Sequence, residues 1–472
     1  MTALVWFRSD LRTDDNTALY NALTRHQDVQ ACFLVCEQRW QQHDWGARRQ
    51  HWVWQHALSL RDMLAKNGVP LHILHAGDFD QAAEQLAKLS QSLDATAVYA
   101  NAEYPVDERL RDERVARVLQ ERGIQWHLFH DYTLLPPGSV RTKNDEPFKV
   151  FSPFRRAWLR AVGSDTVPCL TADFGSRKPI TPPNLPAWRP PAASVDAQWW
   201  SVGEHAAHER LQRFVTDGLF RYKEQRDFPA LDGTSRLSPY LNIGVISVRR
   251  CFEAGLAANH GEWDSGNQGA VSWLSELIWR EFYQHVMVAF PRVSRARAFR
   301  PETDALIWRG TGEEFDRWRQ GSTGFPLVDA AMRQLAQTGW MHNRLRMVTA
   351  MFLSKYLLID WRHGERWFND QLLDSELGAN NGGWQWSASS GTDAAPYFRV
   401  LSPVRQAERF DADGAFTRRF VPELRDVSAK ALLTPGCPEL LATGYPTPMV
   451  DLKVGRERAL AAFRALSKEL AC

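Results

Sequence analysis

The 472-residue sequence lacks several kinds of chemistry that residues alone can announce. Six cysteines (Cys32, Cys36, Cys169, Cys251, Cys437 and Cys472) are scattered without a C-x-x-C pair or a second cluster. Reduced thiols are expected, neither disulfides nor zinc ligands. Fourteen histidines include no H-E-x-x-H, and His72/His75 and His205/His208 have no further clustered ligands, so no metal site is expected. No apolar run approaches the ~18 residues of a membrane span. The opening "MTALVWFRSDLR" is too short in its apolar part for a leader, which points to the cytoplasm. Neither G-x-G-x-x-G after a strand nor G-x-x-x-x-G-K-[ST] occurs, which removes the dinucleotide fingerprint and the P-loop. A Ser-His-Asp arrangement and a convincing acid pair are missing too. An enzyme built from what remains needs a cofactor to carry the reaction.

Lysine is also scarce: 10 Lys stand against 47 Arg at a net charge of +2. Arginine suits planar, bidentate contact with phosphate or carboxylate, although GC-rich coding produces the same bias. Tryptophan, by contrast, is abundant, with 20 residues.

Apolar runs at 3–7, 31–35, 70–74, 95–100 and 124–129 alternate with helical patterns such as 47–67, 79–92 and 106–122. Five buried strands with helical crossovers predict a parallel, doubly wound α/β domain over 1–131. Seven prolines between Pro168 and Pro191 mark a long connection, taken as 132–199. From 200 to 472 amphipathic helical patterns dominate, predicting an all-α domain.

Four segments carry candidate chemistry. In "DGTSRLSPYL" (232–241), Thr234, Ser235, Arg236 and Ser238 precede or open a helix and offer an anion cradle or a plain cap. On the helix "SWLSELIWREFYQH" (272–285), Glu276, Trp279, Arg280 and Tyr283 share a stripe, while Trp273 and Leu277 lie on the buried side. Glu276 and Arg280 also satisfy a simple i,i+4 ion pair. "PRVSRARAFR" (291–300) is basic without an acid, and "GWMHNRLRM" (339–347) places Asn343, Arg344 and Met347 on one face with Arg346 turned elsewhere. "NNGGWQWSASSG" (380–391) carries no ionisable side chain. Its bland explanation is tight packing, with Gly382 and Gly383 admitting close backbones and Trp384 and Trp386 filling a core.

Together with "VWFRSDLRTDDN" (5–16), "GFPLVDAAMRQL" (324–335) and "ANNGGWQW" (379–386), these segments resemble, in order and over nearly the full length, the bacterial class I cyclobutane pyrimidine dimer photolyases. That group belongs to the photolyase/cryptochrome superfamily. The resemblance implies FAD in the helical domain, with Tyr222, Thr234, Ser235, Arg236, Leu237, Ser238 and Trp273 around it. It implies Asp374, Ser375, Glu376 and Asn380 at the isoalloxazine ring, Arg346 paired to Asp374, and Asn380 near N5. Lesion contacts would come from Arg226, Glu276, Trp279, Arg280, Asn343, Arg344, Met347 and Trp386. Trp384, Trp361 and Trp308 match the family's chain for photoreducing oxidised flavin.

The activity implied is light-dependent splitting of cyclobutane pyrimidine dimers, flipped out of ultraviolet-damaged DNA without sequence preference, by a monomer. Asp107-Glu108 stands where folate-antenna relatives usually have Asn-Glu, and Arg295 where they have Lys. The conserved acid and charge favour a 5,10-methenyltetrahydrofolate antenna over an 8-hydroxy-deazaflavin. Asp374-Ser375-Glu376 replaces the commoner Asp-Gly-Asp. A cryptochrome-like light sensor and a six-four photoproduct photolyase are the alternatives. Asn380 and Met347 argue against them, and only His342 is available where the six-four enzymes use a histidine pair.

Overall fold

The computed structural model describes residues 2–163 and 168–469, so Cys472 lies outside the described residues. The described residues form two compact units. One takes the chain up to Phe220 together with Ser235–Pro291; the other takes Arg221–Thr234 and the chain from Arg292 onward.

The first unit is built on β1 (Thr2–Phe7), α1 (Thr17–Arg25), β2 (Asp28–Val35), α2 (Glu37–Gln42), α3 (Ala47–Lys66), β3 (Leu71–His75), α4 (Phe79–Ser92), β4 (Ala95–Asn101), α5 (Val106–Gln120) and β5 (Gln125–Phe129). The strands are all parallel, in the order β3-β2-β1-β4-β5, with Val5 registered between Ala31 and Tyr99. Helices on the sheet's faces explain why β1 and β2 read as continuous apolar runs: neither face meets water. All five runs expected from the sequence are strands. The periodicity missed α1, and it missed α6 (Phe151–Val162), which lies within 132–199. The proline-rich stretch from Pro168 to Pro191 contains neither helix nor strand.

Helices α7 (Glu204–Asp217), α9 (Ser238–Asn242), α10 (Val248–Ala258) and α11 (Gln268–Ala289) complete this unit. A buried charge cluster ties α10 to the loop after β1. Arg12 donates to Asp131 at 2.5 Å, and Arg249 donates to Asp15 at 2.8 Å and to Asp131 at 2.7 Å. Asn101 donates to Asp10 at 2.7 Å. The two guanidinium groups hold Asp131 below the usual carboxylate range, outweighing the opposite effect of its burial. Asp10 moves the other way, raised by burial. Gly244 adopts a left-handed φ of +64°, and a Cβ there would meet the Ser9 carbonyl at 2.2 Å. The "FRSDLRTDDN" segment therefore works as a structural weld.

The second unit contains α8 (Tyr222–Gln225), α12 (Glu313–Gln320), α13 (Pro326–Thr338), α14 (Asn343–Met351), α15 (Trp361–Gln371) and α16 (Leu377–Ala388). Five further helices follow: α17 (Pro403–Phe410), α18 (Ala415–Phe420), α19 (Ala429–Leu432), α20 (Pro438–Ala442) and α21 (Leu452–Glu469). Trp318, Phe352, Trp361, Phe368 and Trp384 are among the large residues of its core. A π-helical turn, Phe352–Tyr356, carries Lys355, which is fully buried. Its ammonium donates to Ser389 Oγ at 2.7 Å and lies 4.2 Å from the Phe463 ring centre, and burial pushes its pKa down to about 7. Among the described residues, no helix is long and apolar enough to cross a membrane.

Candidate functional site

Helix α16 carries most of the uncharged segment. The Glu376 carboxylate accepts from Gly378 and Ala379 N–H, both at 2.8 Å, so its side chain is committed to starting the helix. Within the helix, amides face α15. Asn380 Nδ2 donates to the Glu365 carbonyl at 3.2 Å and to Asn369 Oδ1 at 2.9 Å. Asn381 donates to the Glu365 carboxylate, and Gln385 donates to Asn381 Oδ1, each at 2.8 Å. Gln385 Oε1 accepts from Phe299 N–H at 2.7 Å. Each of these bonds uses a neutral side-chain amide of α16. Ser389, at φ +63°, ends the helix in the left-handed conformation.

The two indoles of this segment differ. Trp384 is 2% exposed, edge-on to Phe368 at 4.9 Å and to Trp318 at 6.0 Å, whereas Trp386 is half-buried. The close approach expected at Gly383 is not found, since a Cβ there would meet no protein atom within 4 Å. It falls instead at Gly364 of α15, where a Cβ would lie 2.1 Å from the Trp384 ring. Gly364 is three residues beyond Trp361, so the Trp384 ring rests on α15 one turn from Trp361. Trp308 joins the same core from its edge, next to a parallel bridge between Arg309 and Ile359, two residues before Trp361. Chain geometry thus collects Trp308, Trp361 and Trp384 around one apolar core. Among the described residues, the indole N–H groups of Trp308 and Trp384 are buried without a hydrogen-bond acceptor.

Other expected residues of this unit fall into two groups. Arg346 donates to both Asp374 oxygens, at 3.0 and 2.8 Å, and to the Met341 carbonyl; Ser375 is buried beside them. On α14, Asn343 is exposed, and Arg344 reaches Asp227 at 2.8 Å with its guanidinium 4.8 Å from the Phe410 ring centre. Met347 lies beside it, with sulfur 3.9 Å from Arg344 Nη1. Tyr222 is buried under Arg226, whose guanidinium is 5.1 Å from the ring centre. Thr234 is half-buried at the end of the same short segment. Arg295 is exposed in the turn Pro291–Arg295.

In the first unit, Arg236 holds a left-handed φ of +50° between half-buried Ser235 and buried Leu237; Ser238 is the first residue of α9. On α11, Trp273 is core, packed against Phe214 at 5.2 Å and over Gly255. Glu276 is half-buried. Trp279 stacks face to face on Phe151 at 3.7 Å. Arg280 donates to the Tyr132 and Leu241 carbonyls at 2.8 and 3.3 Å, with its charge 3.8 Å from the Tyr132 ring centre.

A second cluster in this unit surrounds Asp107 and Glu108 at the start of α5. Arg39 pairs with Asp107, and His43 Nε2 lies 3.3 Å from the same carboxylate. Glu108 Oε2 and Gln50 Oε1 are buried without a donor among the described residues. Burial and the neighbouring Glu103 push Glu108 up to about 7; burial beside Arg39 pushes His43 down to about 4.

Sequence reasoning missed Gly364, Asn369, Asp227, Arg39 and His43. Asp227 follows Arg226 directly and Gly364 follows Trp361 by one turn, which are usable local signals. Asn369 gives none, because its partner lies on another helix.

Comparison with known proteins identifies the family of the chain and of its fold. Residues 3–171 match the family model described as DNA photolyase, and residues 273–465 match the FAD binding domain of DNA photolyase. A deoxyribodipyrimidine photo-lyase of Vibrio cholerae is 44% identical, with 98% of this chain and 99% of that protein covered. The Escherichia coli protein of the same name is 43% identical, with 99% of each covered. Among solved structures, a bacterial class III photolyase from Agrobacterium tumefaciens superposes with a TM-score of 0.88 at 34% identity, covering 99% of this chain and 98% of that one. By sequence along its whole length and by fold, the chain belongs to the DNA photolyase family.

Proposed function

We propose that this protein repairs cyclobutane pyrimidine dimers in ultraviolet-damaged DNA, using light and FAD. The observation that carries the reading is helix α16. It buries an oxidisable indole in an apolar shell and, one turn before it, spends both amide hydrogens of Asn380 on α15. With both amide hydrogens of Asn380 spent on α15, its carbonyl oxygen is the end of the amide left to accept from a flavin N–H, and the residues fit the cofactor. When bound and reduced, FAD supplies the photoexcited electron that opens the cyclobutane ring and then takes it back.

The protein's residues bind, orient and exclude. Arg346, fixed by Asp374, frames the ring together with Ser375 and Asn380, while Tyr222 and Thr234–Ser238 hold the phosphates and ribityl chain. Glu276 and Asn343 address the polar edges of the pyrimidines; Trp279, Met347 and Trp386 supply apolar contact. Arg280 and Arg344 border the lesion pocket, and Arg226 faces the DNA, where contact with backbone phosphate gives affinity without sequence preference. Trp308, Trp361 and Trp384 would relay electrons from an external donor toward oxidised FAD. No acid–base pair is required, because light supplies the driving energy.

The Glu108 cluster is the antenna site of this reading. A carboxyl near neutrality with an unspent oxygen suits the N–H edge of a pterin, which favours 5,10-methenyltetrahydrofolate over 8-hydroxy-deazaflavin. The protein acts as a cytoplasmic monomer, with residues 1–131 as the antenna domain, 132–199 as the linker and 200–472 as the domain for FAD and DNA.

The test is lesion loss from an irradiated thymine-tract oligonucleotide, incubated with FAD-reduced protein in light and in darkness. Loss only in light is expected. Equal loss in both, or none in either, overturns the proposal.

A further inference from the structure

We infer that Asn369 is a positioning residue that, together with the Glu365 carbonyl, holds the nitrogen end of the Asn380 amide on α15 and so keeps its oxygen turned toward the flavin. The inference rests on the reading that Asn380 lies beside flavin N5. Asn369 follows Glu365 by four residues on α15, so the two share one face, and that face meets Asn380 of α16. The Glu365 backbone carbonyl can only accept, so the Asn380 atom 3.2 Å from it must be the nitrogen. Asn369 Oδ1 takes the second amide hydrogen at 2.9 Å, the shorter of the two bonds. Asn369 is itself 9% exposed, so this acceptor lies within the packing. With nitrogen anchored twice, the end of Asn380 left for a ligand is the carbonyl oxygen.

That orientation has a chemical consequence. An amide offers opposite hydrogen-bond polarity at its two ends. Flavin N5 is an acceptor when oxidised and carries a hydrogen when reduced. A carbonyl presented to N5 favours the reduced cofactor, and an amino group presented there favours the oxidised one. Without Asn369, one Asn380 hydrogen is buried without an acceptor, and the amide gains a reason to rotate. Asn369 therefore biases the bound flavin toward the state that repairs.

The experiment poises FAD-loaded full-length protein against a redox dye in darkness and reads the ratio of reduced to oxidised flavin spectroscopically. Wild type, Asn369→Leu, Asn380→Ala and the double variant are compared. Asn369→Leu should lower the ratio by roughly threefold to tenfold, the worth of one hydrogen bond, and should hasten reoxidation in air. In the Asn380→Ala background the same substitution should change nothing, because the positioned group is gone. An unchanged ratio in Asn369→Leu, beside a changed one in Asn380→Ala, overturns the inference and leaves the flavin reading intact. Equal shifts in both backgrounds also overturn it, since they report a general structural effect. An unchanged ratio in Asn380→Ala removes the flavin reading itself. If Asn369→Leu does not retain FAD, Asn369→Gln, which displaces the acceptor by one methylene, replaces it in the same cycle.

Discussion

Two buried polar networks of this molecule solve opposite problems. In the first unit, Arg12, Arg249, Asp15 and Asp131 are nearly fully buried and charged, with opposite signs in direct contact. In the second, Asn380 and Asn381 of α16 meet α15 through neutral amides, and Gln385 braces Asn381, beside an indole in an apolar shell. A fully paired charge network holds its elements rigidly, and any member removed leaves its partners uncompensated. Neutral amides fix position equally well without placing side-chain charge of their own in the low-dielectric interior. Such an environment suits a helix on which a transient charge must form and move on. Both segments are recognisable sequence motifs, but one is a weld and the other, under the proposed function, an electronic site.

The largest test of this contrast is Arg249→Ala. Leaving Asp15 and Asp131 without this partner should cost about 3–5 kcal/mol of stability, read as a lower denaturation midpoint, with FAD photochemistry retained in the protein that remains folded. A cost below about 1 kcal/mol would put the pair with ordinary surface salt bridges. Next comes Gly364→Ala. Its methyl would occupy the space of the Trp384 ring, costing about 1–3 kcal/mol and altering tryptophan near-ultraviolet circular dichroism. An unchanged spectrum would mean that the ring does not depend on this approach.

The smallest effect concerns Lys355, a buried basic group that bonds to Ser389 at the end of α16. Its folded pKa of about 7 lies below the ordinary 10.5, so between these values the unfolded chain holds the extra proton. This group alone therefore makes stability rise with pH from about 7 to 10.5, and its full burial cost is present below 7. Lys355→Met should flatten that rise and add about 1 kcal/mol or less at pH 6, because Ser389 and the Phe463 ring already offset part of the cost. A steeper rise in the variant would reverse the assigned sign.

What was legible follows from range. The five strands could be read because their apolar runs are local and continuous, and α4 (Phe79–Ser92) because Asp78 caps a regular apolar stripe. Helix α6 escaped because its apolar face, Phe151, Phe154 and Trp158, sits in a segment dominated by prolines further on. That α10 joins the unit of the parallel sheet depends on Arg249 meeting Asp15 and Asp131, contacts more than a hundred residues apart that no window contains. At the site, Arg346 with Asp374 followed from the family resemblance, and the geometry brings the two side chains together. Gly364 and Asn369 were invisible, because each matters only through a residue on the neighbouring helix.

The central claim is that the neutral helix α16 is an electronic element, and Trp384→Phe tests it most directly. Phenylalanine fills most of the same apolar shell but is far harder to oxidise. The measurement is the initial rate of photoreduction of bound, oxidised FAD, compared with wild type under identical illumination with an external electron donor. Near-complete loss of that rate, with lesion repair by pre-reduced protein preserved, is the predicted result. An unchanged photoreduction rate would contradict the account and return Trp384 to the role of core filler.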